Sequence, residues 1–281
     1  MLRIGRRAMI RNDILLIDNN AVRRLADPSA RQRLRTTLRA TGREFWPSAI
    51  NVLEALSATD PDLRTLLLRT LGGLAGMNHV LTLPTEALKR YAAAIASGSR
   101  NVDISEPNLT AFIREPIESS DEHVETARVH LRNQEQAFRA AHERARVELR
   151  EPLKEAGGIR TWPNLGSCLD NLWSQPSHLG DYVQRLWEEW EHGGPAPVDE
   201  LLRHPAWRLF LEGWGAAAYS VALAHPQPRW VETADFQQLV YIGFASTAVL
   251  ATDDVGLLEV GNAMLRGRYP MSQVVRADEI M

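Results

Sequence analysis

Four places in this 281-residue chain set a carboxylate against an apolar stretch where it could do chemistry. Asp18 closes the aliphatic run Ile14-Leu15-Leu16-Ile17, with Asn19 and Asn20 behind it. Glu54 falls in a helical pattern beside Ile50 and Asn51, at the border of the apolar face. Asp235 opens another helical pattern, where the helix dipole favours an anion. Asp253 and Asp254 end the apolar run Ala248 to Thr252. Carboxylates gathered at one place repel each other and are costly to desolvate unless paired or metal-bound. Oxygen donors without His or Cys suit Mg²⁺ or Mn²⁺. Such an ion lowers the pKa of a bound water and stabilises charge building on a phosphoryl group. Taken singly, each acid has a plainer role. Asp18 could cap a helix with Asn19 and Asn20 completing a turn, Glu54 could lie on a solvated face, Asp235 could be a helix-start charge, and Asp253-Asp254 could be a surface turn. Their joint placement is what favours a shared site.

The elements that must carry these acids alternate. Asp13 to Asp18 has the length of a short buried strand, and Glu44 to Pro47 begins a second extended piece. Between them, Val22, Leu25, Leu34 and Leu38 are spaced for helices on either side of Asp27-Pro28-Ser29. Ser48 is a credible N-cap for a helix over Ala49 to Ala58. Leu63 to Leu74 reads as a helix, Val80 to Pro84 as extended, and Glu86 to Ala96 as a helix capped by Thr85. Strands and helices in short alternation predict an α/β fold with a central parallel sheet, in which ligands collect at the carboxyl ends of the strands. From about Gly98 to Trp230 the strand signal disappears. Val124, Ala127, Leu131, Phe138, Ala141, Ala145 and Leu149 follow a helical stripe. Further helices are expected over Gly180 to Glu191 and over Val198 to His225, with breaks at Pro205 and Gly213–Gly215. Five of the eight tryptophans lie between Trp162 and Trp207, where core is the plainer reading. The alternation then returns: helix over Asp235 to Ala245, strand over Ala248 to Thr252, helix over Gly256 to Leu265, strand over Ser272 to Val275. The expected organisation is one discontinuous α/β domain, 1–97 with 231–281, interrupted by a helical insertion over 98–230.

Composition narrows the classes. With 44% hydrophobic and 24% charged residues the chain is that of an ordinary globular protein. One cysteine, Cys168, excludes an intramolecular disulfide framework and a Cys-rich zinc site. No window approaches the ~18 apolar residues of a membrane span, so the expectation is a cytoplasmic protein that makes no membrane contact. The net charge of −3 hides a basic start: eleven arginines against three aspartates from Met1 to Arg43. That excess suits a phosphate backbone, although coding bias toward arginine, with Lys only at 89 and 154, would also produce it. The eight histidines include no H-E-x-x-H pair; His123 and His130 fit a solvated helix face, and Cys168 an inert buried thiol. IDNNAV has Asn20 where a D-x-D phosphatase nucleophile would have its second Asp. No G-x-x-x-x-G-K-[ST] loop or G-x-G-x-x-G turn is present, which argues against nucleotide-binding enzymes.

These acid-bearing segments resemble the PIN domain, a family of metal-dependent nucleases. LLIDNNAV resembles its opening strand and D-x-N turn, matching Asp18 to the first metal ligand and Asn20 to the polar residue two places on. WPSAINVLEAL resembles the second strand and helix, with Glu54 at the family's glutamate. DFQQLVYIGFASTAVLATDDVGLL resembles the third-acid helix and the strand ending in T-x-D, with Asp235, Thr252 and Asp254 at the family positions. VVRADEIM resembles the closing strand. The likeness covers residues 12–97 and 231–281. Asp235 to Asp254 is one residue longer than the family's step, which leaves Asp253 as an alternative ligand, and typical members lack the long insertion. The resemblance implies a PIN-like three-layer α/β/α fold and an endoribonuclease. Asp18, Glu54, Asp235 and Asp254 or Asp253 would hold Mg²⁺ or Mn²⁺, with Thr252 or Asn20 positioning a ligand or the water. A metal-activated water would hydrolyse RNA to a 5′-phosphate and a 3′-hydroxyl. It further implies a homodimer and, as in toxin–antitoxin pairs, an inhibitory protein partner. A second expectation is a catalytically silent PIN-like module that binds RNA or a protein through the helical insertion.

Overall fold

The computed structural model describes residues 10–99, 102–114, 122, 124–130, 132–133, 136, 165–174, 176–222, 237–266 and 268–281. Strands β1 (Ile10–Ile17), β2 (Glu44–Phe45), β3 (Ala245–Thr252) and β4 (Gln273–Arg276) form one all-parallel sheet in the order β2-β1-β3-β4. The apolar run at the end of β1 is continuous because both of its faces are covered. Ile14 and Leu16 face one core with Ala248 and Leu250 of β3, while Leu15 and Ile17 face the other with Val249. Both central strands begin earlier than their hydrophobicity suggests. Ile10 pairs with Ala245 and Asp13 with Thr247, so backbone pairing extends the ladder through polar residues. The helix expected over Asp235 to Ala245 is correspondingly shorter.

The helices, in chain order, are α1 (Asn19–Val22), α2 (Pro28–Thr41), α3 (Ala49–Ser57), α4 (Pro61–Ala75), α5 (Pro84–Ala96), α6 (Pro107–Arg114), α7 (Leu165–Ser174), α8 (Pro176–Glu189), α9 (Val198–Arg203), α10 (Pro205–Ala222), α11 (Leu239–Phe244) and α12 (Val255–Leu265). Their ends follow local chemistry. Asp27 caps α2, which stops at Gly42 in the left-handed region at φ 68°. Ser48 caps α3 in a reciprocal box with Asn51. Thr85 is not the cap of α5: the helix starts at Pro84, whose fixed φ and missing N–H suit a first turn without a side-chain cap. The Val80–Pro84 stretch is extended, but it makes only isolated bridges from Leu81 to Ser48 and Ser105, outside the main sheet. The break expected at Gly213–Gly215 is absent and α10 runs through it. Burial of that helix outweighs the ~1 kcal/mol helix penalty of each glycine.

Helices α1 to α4, α6 and the 3₁₀ turns Arg23–Ala26 and Ala277–Glu279 contribute to the core behind Leu15 and Ile17. Helices α5 and α7 to α12 build the core on the Ile14 and Leu16 face. Trp207 and Leu209 of α10, Trp187 and Val183 of α8 and Leu169 of α7 thus share one apolar cluster with the sheet itself. Val124 and Ala127, the described start of the long stripe, are buried; the rest of that stripe and His123 lie outside the described residues. Among the described residues, no helix is long and apolar enough to cross a membrane.

The chain runs from β1 to β2 on one side, then crosses to β3 on the other side of β1. The β1/β3 boundary is therefore the point where the winding reverses. In open parallel sheets the crevice outside the carboxyl ends of the strands at that point is where ligands bind.

Candidate functional site

Asp18 stands at that point. Its backbone N–H continues the ladder to Ala251 O at 2.8 Å, and its side chain caps α1 through the N–H of Asn19 at 2.7 Å. The carboxylate is fully buried. Its Oδ1 also accepts from Gln238 Nε2, and its Oδ2 accepts from the Thr252 hydroxyl at 2.9 Å. Thr252, at the last position of β3, is itself buried, and its Oγ1 accepts from the Asp254 N–H at 2.9 Å. Asp254 then caps α12, accepting from the Leu257 N–H at 2.8 Å. One threonine hydroxyl thus joins the ends of the two central strands and the start of the next helix. From the α3 side, Asn51 Nδ2 donates to Ile17 O at 2.8 Å, which ties that helix to the end of β1.

Charge is distributed unevenly around this edge. Burial pushes the Asp18 carboxyl above the ordinary value; the Thr252, Asn19 and Gln238 hydrogen bonds oppose that, and the negative charge of Asp254 adds to it. Glu54 of α3 accepts from Arg23 Nη2 at 2.8 Å and Nε at 3.1 Å. Asp253 accepts from Arg24 Nε at 2.6 Å, and this bond is the main reason the Arg24 guanidinium is held above its usual range. The outer acids, Glu54 and Asp253, are therefore neutralised by arginines. Among the described residues, no basic side chain pairs with the inner acids, Asp18 and Asp254.

The expected site residues sort accordingly. Asp18, Thr252 and Asp254 come together through hydrogen bonds. Glu54 and Asp253 flank them in ion pairs. Asn20 is exposed on α1 and takes no part in the bonds at Asp18. Asp235 lies outside the described residues, as does the side chain of Cys168. The single-acid alternatives hold at the level of local bonding, because Asp18 and Asp254 each cap a helix. Gln238 escapes sequence reasoning: a glutamine just before Leu239-Val240-Tyr241-Ile242 carries no motif, and only the fold turns it toward Asp18. Arg23 and Arg24 count in the sequence merely as part of a positive excess.

Among the described residues, no three or more His, Cys, Asp or Glu side chains are grouped to hold a metal ion. Two carboxylates are sufficient protein ligation for a hard ion such as Mg²⁺, which keeps several waters. Asp18 and Asp254 suit that role because both are oxygen donors lacking a counter-charge. Glu54 and Asp253 do not suit it while the arginines hold them. No family model, no curated protein and no solved structure matches the chain.

Proposed function

We propose that the chain is a metal-dependent endoribonuclease of PIN-like design, with its site at the carboxyl ends of β1 and β3. The observation that carries the reading is the Asp18–Thr252–Asp254 linkage at the β1/β3 reversal: a buried carboxylate and a second acid share one hydroxyl, with no basic partner for either. Asp18 and Asp254 would hold one Mg²⁺ or Mn²⁺ ion. When bound, such an ion polarises a phosphate oxygen and acidifies water, which is the chemistry that phosphodiester hydrolysis needs. The chain's own residues do the positioning. Thr252 fixes the Asp18 carboxylate against the start of α12, and Gln238 and the Asn19 N–H set its plane, so the second lone pair of Oδ2 is presented without rearrangement. Exposed arginines of α2 (Arg33, Arg35, Arg39) supply a basic flank for a polynucleotide. An inhibitory protein partner and a homodimer follow from the family likeness alone.

The test is calorimetric titration of Mn²⁺ into the wild type and Asp18→Asn, with cleavage of a mixed RNA pool alongside. Micromolar-range binding and cleavage that both disappear in the variant are the expected outcome. Intact RNA and no metal heat from the wild type would sink the nuclease reading.

A second reading has its own support. The ion pairs on Glu54 and Asp253 and the hydrogen bonds on Asp18 leave a self-satisfied edge, as in a silent PIN-like module that binds RNA or a protein through the helices of 98–230. RNA retained on the protein without cleavage, at any Mn²⁺ concentration, would favour it.

A further inference from the structure

The two outer carboxylates are held by consecutive arginines of one short turn. Arg23 Nη2 lies 2.8 Å from Glu54 Oε1, and Arg24 Nε lies 2.6 Å from Asp253 Oδ2. The 3₁₀ turn Arg23–Ala26 that carries both follows directly on α1, which Asp18 caps. One arginine therefore reaches the helix after β2 while its neighbour reaches the loop after β3. The pairs are accessible: the Arg23 side chain is 75% exposed and that of Arg24 37%. Ion pairs of this kind contribute at most ~1 kcal/mol each. A guanidinium matches a phosphate at least as well as a carboxylate, through two parallel hydrogen bonds. Exchange of partner at these positions is thus inexpensive.

We infer that Arg23 and Arg24 form an ionic latch over the site proposed above, keeping Glu54 and Asp253 from a divalent cation until the phosphates of a polynucleotide draw the two guanidiniums away. The inference rests on Asp18 and Asp254 being a cation site. With the latch closed, the cation meets two carboxylates; with it open, Glu54 and Asp253 add their charge to the same edge. Linkage makes the effect reciprocal, so a bound cation also strengthens the hold of the arginines on phosphate.

The experiment is calorimetry with Mn²⁺ as the sole added ligand, on the full chain. Four proteins are compared: the wild type, Arg23→Gln/Arg24→Gln, Arg35→Gln/Arg39→Gln, and the latch variant carrying Asp18→Asn as well. Arg35 and Arg39 are exposed on α2 and lie in no ion pair among the described residues, so their removal takes the same charge without touching the latch. The expected result is Mn²⁺ binding about tenfold tighter in the latch variant than in the wild type. The α2 variant should match the wild type, and Asp18→Asn should abolish the heat. Arg23→Lys/Arg24→Lys, which keeps both charges but not the forked geometry, should lie between. Equal affinity in wild type and latch variant, with Asp18-dependent heat intact, overturns the latch and leaves the site standing. Equal tightening in both double variants assigns the effect to bulk charge and overturns it also. Absence of Asp18-dependent heat from every protein removes the site and the latch with it.

Discussion

Asp18 is expensive to keep. The carboxyl is completely buried, accepts hydrogen bonds from Asn19, Gln238 and Thr252, and titrates above its ordinary value of 3.8 mainly because burial disfavours its charge. The folded chain therefore binds that proton more tightly than the unfolded chain. Stability contributed by the protonated form is complete below the ordinary value and is lost as pH rises through the folded value. In metal-free buffer at about pH 7, Asp18→Asn is expected to raise stability by about 1 kcal/mol, as substitutions that relieve a functional group often do. For a chain of this size that is a rise in melting temperature of about 2 °C. At about pH 3 the gain should vanish, because both side chains are then neutral. Thermal unfolding in EDTA at the two pH values checks this, and a variant less stable than wild type at neutral pH would show that the bonds to Asp18 outweigh its desolvation. Glu212 offers a contrast. It too is fully buried with its carboxyl raised by burial, but it has a cation, Arg268. A buried charge with a basic partner reads as structure, and one without reads as a site.

At the scale of elements, the helices of the second face are seated by close backbone contact as well as by apolar area. Gly243, near the end of α11, lies against the first residues of α10, so that a Cβ built on it would fall on the backbone N and Cα of Ala206. His204 caps the same helix start through Nδ1, which accepts from the Ala206 N–H at 3.3 Å, and its ring stacks on Tyr91 at 4.0 Å. The ring is neutral because burial pushes its pKa down to about 4. Gly243→Ala is expected to cost about 2–4 kcal/mol, the penalty of overpacking against a backbone that cannot retreat. Chemical denaturation measures it through a lower midpoint, with the slope retained. Because α11 leads into β3, weakened Mn²⁺ binding should accompany the loss if the site depends on that register.

The whole molecule depends on the helices between Gly98 and Trp230. Ile14, Leu16, Ala248 and Leu250 of the sheet face the same cluster as Leu169, Val183, Trp187, Trp207 and Leu209. Removing residues 98–230 would open that face to water, at roughly 25 cal/mol for each Å² of apolar surface uncovered. A chain shortened in this way is expected to aggregate, or to bind a hydrophobic dye strongly, and not to behave as a minimal nuclease. Gel filtration and dye fluorescence of the shortened chain test the point; a monomeric product with a sharp melting transition would show that the α/β part folds alone.

Much of the architecture was legible because it follows from periodicity and local chemistry. Four continuous aliphatic residues before Asp18 predict a strand covered on both faces, Ser48 predicts its own cap, and Thr252 with Asp254 marks the end of β3. Those features depend on neighbours a few residues away, and side-chain spacing records them directly. What the tertiary structure alone decided is which groups meet across long stretches of sequence: Gln238 on Asp18 and Arg24 on Asp253. It also decided that α10 passes through Gly213 and Gly215 without a break. The type of a polar residue states what it can bond, and only the packing of distant elements states with whom. The sequence by itself determined a parallel α/β sheet with acids at its carboxyl edge. The fold determined which of those acids an arginine neutralises and which are left uncompensated, because charge pairing depends on distance in space.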